Sequence, residues 1–486
     1  MNILLIVLSF ITFSCGDDNK NGSNPVPTSE ETYDVYAYTS TASRSMSFNK
    51  AGVDFSTVSN MSPNTIKIHP DTKYQTIDGF GAAITGSSCY NLMRMNVADR
   101  AAFMKEIFDT VDGLGLSYVR VSIGCSDFSL SEYTCCDQKG IENFALTSEE
   151  LNYVIPILKE AFAYNPNIKV VGSPWTCPLW MKVSEKGGST PYNSWTGGHL
   201  GTAYYQDYAT YFVKWIRAFE AQCVPIYAIT IQNEPLNGGN SASLLMEWDE
   251  QRDFIKDALG PKLQQAGLHT KVFVFDHNFN YDGVGSQQDY PIRIYNDADA
   301  AQYVTGAAYH HYGGDRSELT DIHSQRPDKE LIFSEGSIGT WNDGRNLANV
   351  FTREVEEGID LVAKWCKAVI VWNLMLDMSG APNRPGGCTT CFGVVDISTD
   401  YKAITRNSHY YEIGHLSKVM KAGAVRIKAD GYSPAGLIYQ AVKNPDGSYG
   451  MVILNKSSAE INFTVEDDAH SFSYSVPSKA AVSLRW

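Results

Sequence analysis

The sequence predicts an α/β fold: a (β/α)8 TIM barrel with a β-sandwich side domain built from both chain ends. Two observations predict it. From about residue 78 onward, eight strand-length apolar runs alternate with helical periodicity, which is the order and count of a parallel barrel. After Leu416 the pattern changes to six short strands with turn signals such as Asn444-Pro445-Asp446-Gly447, as in a small sandwich. A doubly wound sheet is the poorer reading, because no Gly-rich dinucleotide turn follows a strand.

The chain opens on Ile3 to Phe13, an apolar stretch of 11 residues that ends in Ser14-Cys15. It is too short to cross a bilayer and has the form of a cleaved export signal. Ser14-Cys15 followed by Gly16-Asp17-Asp18 resembles a bacterial lipoprotein signal, which implies lipidation at Cys15. The expected location is the outer membrane or cell surface, with the periplasm, or a plain secretory signal, as the alternative. Residues 16–32 are rich in Asn, Ser, Pro and Glu and read as a tether. Tyr33–Ser40 and Thr65–His69 read as strands that precede any α/β pattern. The expected organisation is therefore signal 1–15, tether 16–32, sandwich strands 33–75, barrel 76–415 and sandwich 416–486.

The barrel strands are expected at Gly79–Thr85, Tyr118–Ile123, Lys169–Ser173, Ala228–Asn233, Lys271–Asp276, Ala307–Tyr312, Leu331–Ser334 and Ala368–Asn373. Helices fill most gaps; Tyr204, Tyr208, Tyr211 and Phe212, for example, mark one helical face. The later strands are expected at Ala424–Ile427, Gly436–Ala441, Tyr449–Leu454, Glu460–Val465, Phe472–Val476 and Ala480–Leu484.

Composition narrows the partners. A net charge of −15 argues against nucleic acid or an anionic membrane surface. Aromatics make up 12% of the chain, with 9 Trp and 28 Tyr, which suits clefts for a neutral substrate. Of the 10 Cys, adjacent Cys135 and Cys136 cannot easily pair with each other, whereas Cys388 and Cys391 could close a small loop. No second CxxC stands at zinc spacing, so structural or free thiols are expected.

Function is written at the strand ends. The run Ala228-Ile229-Thr230-Ile231 stops at Asn233-Glu234-Pro235, and a barrel places catalytic groups at the C-terminal tips of its strands. Three strands later, Ser334-Glu335-Gly336 brings a second carboxylate to the same mouth. Two facing carboxylates are the minimal machinery of glycoside hydrolysis.

Asp78-Gly79-Phe80-Gly81, Ser126-Asp127-Phe128-Ser129, Ser173-Pro174-Trp175-Thr176, Gln232-Asn233-Glu234-Pro235, His310-His311-Tyr312, Phe333-Ser334-Glu335-Gly336, Trp372-Asn373 and Gly414-His415-Leu416-Ser417-Lys418 follow in order over most of 70–430. The chain resembles glycoside hydrolase family 30, which contains glucosylceramidases and β-1,6-glucanases. The resemblance implies Glu234 as acid/base and Glu335 as nucleophile of a retaining mechanism. It also implies sugar contacts from Asp127, Trp175, Asn233, Tyr312 and Trp372, with Arg120 beneath. Arg120 could equally be a barrel-interior ion pair with no catalytic part.

His310 and His311 face opposite ways along a strand, so His310 is expected to support the site by a hydrogen bond. No metal and no cofactor are expected. The leading expectation is an endo-β-1,6-glucanase acting on β-glucan, with a glucosylceramidase-type β-glucosidase or a β-xylanase as alternatives. The non-enzyme rival is a carbohydrate-binding surface lipoprotein. Gly336-Ser337 and the Gly/Cys-rich segment 377–388 depart from the glucosylceramidase pattern and leave the aglycone open. Trp180, Trp195 and Gly197-Gly198 could line further sugar subsites or only pack their loop.

Overall fold

The computed structural model describes residues 32–56, 62–279 and 284–486. The stretches expected to be an export signal and a tether, with Cys15, lie outside them up to residue 31. Eight parallel strands form the barrel: β1 (Gly79–Ala82), β2 (Tyr118–Ile123), β3 (Lys169–Pro174), β4 (Ala228–Thr230), β5 (Lys271–Asn278), β6 (Gly306–His310), β7 (Glu330–Glu335) and β8 (Cys366–Val371). Each pairs with its sequence neighbour, and β8 returns to β1. The Ser117 N–H donates to Phe80 O at 3.0 Å and the Ile84 N–H to Arg120 O at 2.8 Å, which closes the ring between β1 and β2.

Alternation along these strands builds the interior in layers. Tyr118, Val171, Ala228, Phe273, Ala308 and Ile332 pack as an apolar cluster across the barrel. Two residues further along, β2, β3, β4, β6 and β7 present Arg120, Ser173, Thr230, His310 and Ser334, all fully buried. A polar layer thus sits on an apolar one, on the side where the chain leaves the strands. At the opposite end, Lys169 pairs with Asp78 at 2.7 Å, and Lys271 and Lys367 each pair with Glu330 at 2.7 Å.

All eight expected barrel strands are present, and the edges differ. β4 leaves its ladder after Thr230, so Ile231 to Glu234 form a loop. β8 begins at Cys366, earlier than the apolar run suggests.

The second domain is the expected β-sandwich, whose strands hydrogen-bond in one continuous nine-stranded order around a shared core. Its order is Asn49–Val53, Val35–Thr41, Ala480–Arg485, Tyr449–Asn455, Leu437–Lys443, Val425–Gly431, Thr65–Thr76, Ile461–Glu466 and Ser471–Val476. Both chain ends contribute, and a core including Val35, Ile66, Ile427, Met451 and Phe463 joins them. The strand Asn49–Val53 has no counterpart in the sequence reading, because it is short and largely exposed. The helix Ser408–Val419 is buried along its whole length. His415 Nδ1 stands 2.8 Å from Ser483 Oγ, which fastens that helix to the sandwich.

Candidate active site

The polar layer is organised by Arg120 and Asp276. Arg120 donates to Ser173 Oγ at 3.0 Å, Asn233 Oδ1 at 2.7 Å, Asp276 Oδ2 at 2.9 Å and Glu335 Oε2. A guanidinium only donates, so the Asn233 atom facing it is the carbonyl oxygen. The Asn233 NH2 therefore faces the other way. The rings of Trp175 and Trp372, stacked at 5.3 Å, cover the guanidinium at 4.9 and 5.5 Å.

Glu335, at the tip of β7, also accepts from the Tyr312 hydroxyl at 2.8 Å. Tyr312 is 41% exposed, while its hydroxyl turns inward onto that carboxylate.

Glu234 reaches the same space by a different route. β5 bulges between Phe275 and His277, with Phe275 and Asp276 in the left-handed region. That turns the Asp276 carbonyl onto the Glu234 N–H at 2.9 Å, and Glu234 itself adopts φ +44°. Its Oε2 accepts from Asn237 at 2.8 Å and Asn240 at 3.4 Å, and its Oε1 lies 3.4 Å from His310 Nδ1. One oxygen each of Glu234 and Glu335 and a His310 nitrogen lie within 4.8 Å of one another. These three could hold a metal by distance alone. However, His310 already faces Asp276 at 3.0 Å on its other nitrogen, and the Arg120 cation already sits on Glu335.

The charges settle in opposite directions. Burial pushes the Asp127 carboxyl up, and Glu335 and Glu234 push it further, to about 8. Burial disfavours the charge on His310, but Glu335, Asp276 and Glu234 outweigh it and raise its pKa to about 9. Burial would likewise raise Glu234, yet His310 outweighs it and holds the carboxyl down to about 2. Asp276 is driven well below the ordinary carboxylate range: burial opposes this, and Arg120 and His310 prevail.

The structure thus gathers Arg120, Asn233, Glu234, His310, Tyr312, Glu335, Trp175 and Trp372 at one mouth. Asp127 joins them from the loop after β2, where its backbone carbonyl accepts from the Arg384 N–H at 3.3 Å. Arg384 also donates to Ser126 O at 3.0 Å and Ser241 Oγ at 3.2 Å, so the segment after β8 clamps the Asp127 loop. Cys388 and Cys391 in that segment form a disulfide, and Cys135 and Cys136 are both free. The two loop tryptophans part company. Trp195 packs against the cluster holding Trp175 and Trp372, whereas Trp180 donates to Cys136 O at 2.8 Å inside its loop.

Sequence reasoning missed Asp276, Asn237, Asn240 and Arg384. Asp276 had a signal: it ends the apolar run Val272-Phe273-Val274-Phe275, as Glu234 and Glu335 end theirs.

The model of the glycosyl hydrolase family 30 TIM-barrel domain matches residues 77–420, and that of the family's beta sandwich domain matches 423–484. The solved endo-beta1,6-glucanase BT3312 shares 57% identity at a TM-score of 0.91, covering 94% of this chain and 99% of that one. An endo-1,6-beta-D-glucanase of Neurospora crassa is 32% identical, covering 83% of each chain. The lysosomal acid glucosylceramidase of Mus musculus is 28% identical, over 83% of this chain and 79% of that protein.

Proposed function

The chain belongs to glycoside hydrolase family 30, and on that premise we propose that it is a retaining endo-β-1,6-glucanase. The observation that carries the linkage is the 57% identity to a solved endo-beta1,6-glucanase across 94% of the chain. The curated glucanase and glucosylceramidase, at 32% and 28%, differ too little to decide alone.

The geometry supports double displacement. Retaining enzymes hold their carboxyls about 5–5.5 Å apart, and inverting ones leave about 6.5–9.5 Å for a water. Glu234 and Glu335 oxygens within 4.8 Å favour the first. Glu335 attacks the anomeric carbon as the glycosidic C–O bond breaks, and Glu234 gives its proton to the departing oxygen. A glycosyl ester on Glu335 results. Glu234 then takes a proton from water, the water oxygen bonds to the anomeric carbon, and the ester bond breaks.

In the free enzyme the proton of the Glu234–His310 pair rests on the imidazole. Sugar over Glu234 excludes water and disfavours its charge, which draws that proton across the 3.4 Å contact. Asn233 offers its NH2 to the sugar 2-hydroxyl. Asp127 grips hydroxyls, and the Trp372 and Trp175 rings floor the subsite. Tyr312 and Arg120 release Glu335 as its charge is spent.

The same reading places the enzyme outside the cytoplasm, anchored through a lipid on Cys15. The support is the 11-residue apolar run ending in Ser14-Cys15. Labelled palmitate should enter the wild type and not Cys15→Ala.

Product analysis on β-1,6-glucan, β-1,3-glucan, xylan and an aryl β-glucoside tests the function. Oligosaccharides from β-1,6-glucan, released first as the β anomer, are expected. No product from that polymer overturns the linkage, glucose alone overturns endo action, and a first-formed α anomer overturns retention. Glu335→Ala should be inactive and regain turnover with azide, forming an α-glycosyl azide.

A further inference from the structure

Away from the barrel mouth, the helices Leu347–Ala363 and Ser408–Val419 pack side by side. Three side chains meet between them: Glu354 and Glu412, each 1% exposed, and His409, 2% exposed. His409 Nε2 stands 3.6 Å from Glu354 Oε2 and 3.6 Å from Glu412 Oε2. Both separations exceed the roughly 2.7–3.2 Å of an N–H···O hydrogen bond. Glu412 Oε2 is enclosed and has no hydrogen-bond partner among the described residues.

The cations nearby are engaged elsewhere. Arg353 binds the other oxygen of Glu354 at 2.6 Å, Arg316 binds Asp360 at 2.7 Å, and His311 binds Glu357 at 2.8 Å. Burial, with the charges of Glu357 and Glu354, pushes the Glu412 carboxyl well above its ordinary range, and a cation bound between the helices would act in the opposite direction.

One nitrogen and two oxygens within 4.8 Å of one another match what a metal ion asks. Tetrahedral zinc with bonds of about 2.0–2.1 Å sets its donors about 3.3 Å apart. Gly358 on the facing helix leaves room: a Cβ there would come within 3.1 Å of Glu412 Cγ and 3.3 Å of its Oε1. A surface cavity of about 230 Å3 lined by His311, Arg316 and Glu357 opens one helical turn from Glu354.

We propose that Glu354, His409 and Glu412 form a structural site for a divalent transition-metal ion, zinc by donor class. One imidazole with two carboxylates is a zinc-type set, neither the all-oxygen shell of calcium or magnesium nor a thiolate site. The ion ties the last two helices of the barrel together. The second of these carries the His415–Ser483 contact to the sandwich, so metal stabilises the joint between domains.

The test uses the purified full chain, stripped with chelator and dialysed, with zinc as the probe. One equivalent is expected to bind by calorimetry and by elemental analysis, with Tm rising as zinc is added. Glu412→Gln should lose both while keeping its circular dichroism, and Glu234→Gln should keep both. If Glu412→Gln does not fold, His409→Gln gives the same reading. No binding at micromolar zinc overturns the proposal, as does a Glu412→Gln or His409→Gln protein that still binds. Loss of zinc in Glu234→Gln places the ion at the catalytic carboxylates and overturns it too.

Discussion

Arg120 and Asp276 form an ion pair that no solvent reaches: Nη2 to Oδ2 is 2.9 Å, and both side chains are 0% exposed. Asp276 also accepts from Thr230 Oγ1 at 2.6 Å, Ser334 Oγ at 2.5 Å and His310 Nε2 at 3.0 Å. It therefore anchors both cations of the mouth, Arg120 on Glu335 and His310 on Glu234. Removing one charge of such a pair costs about 3–5 kcal/mol. Asp276→Asn, which keeps the shape, should lower Tm clearly and cut kcat more than it changes KM. An unchanged Tm in a thermal melt would show that the pair does not hold the polar layer.

Proton donation by Glu234 has a leaving-group signature. A positioned general acid is worth about 10²–10⁴-fold, so Glu234→Gln should slow β-1,6-glucan hydrolysis by that range. An aryl glucoside with an acidic phenol needs little protonation to depart. Glycosylation of the variant by that substrate should fall far less, leaving a burst of phenol followed by slow turnover. Equal losses on both substrates would remove Glu234 from the acid role.

Tyr312 touches Glu335 through one hydrogen bond of 2.8 Å and leaves 41% of its surface in solvent. A hydrogen bond to a charged group is worth about 1.5–3 kcal/mol, or about 10- to 150-fold in rate. Tyr312→Phe should lose that much in kcat/KM and melt like the wild type. A variant of full activity would make the contact incidental.

How much of this was legible in the sequence follows from where energy is local. Buried parallel strands must be continuously apolar, so eight runs announced eight strands, and Tyr208, Tyr211 and Phe212 announced a helix face that is fully buried. Strand ends obey tertiary contacts instead. Ile231 to Glu234 look extended, yet the Glu234 N–H bonds to the Asp276 carbonyl and the ladder stops at Thr230. Nothing in residues 228–235 encodes that partner. Asp276 ends its strand as Glu234 and Glu335 end theirs, but its role as anchor rests on Arg120, His310 and Ser334 converging on it from three other strands. The zinc-type trio was hidden for a related reason. Glu354 lies far from His409 in sequence, and only helix packing brings them together.

The buried groups also set how stability depends on pH. Asp127, at 3.8 in a free chain, is raised to about 8, and His310, at 6.5, is raised to about 9. Between pH 6.5 and about 8 these two groups therefore keep protons in the native state that the unfolded chain has released, and Glu149, which burial raises to about 7, and Glu412, which burial raises well above its ordinary range, add to them. Stability falls as pH rises wherever the native state binds more protons. Each such proton contributes about 1.4 kcal/mol per pH unit. Glu234, held down to about 2 from 4.5, acts on the acid side, where its contribution is lost as pH drops below 4.5. Denaturant unfolding of the substrate-free enzyme should thus show stability declining from pH 6.5 to about 8. Asp127→Asn carries no titrating proton and should make that slope shallower while leaving the His310 contribution up to about 9. A wild type whose stability is flat or rises across this window would mean that neither Asp127 nor His310 keeps its extra proton in the native state.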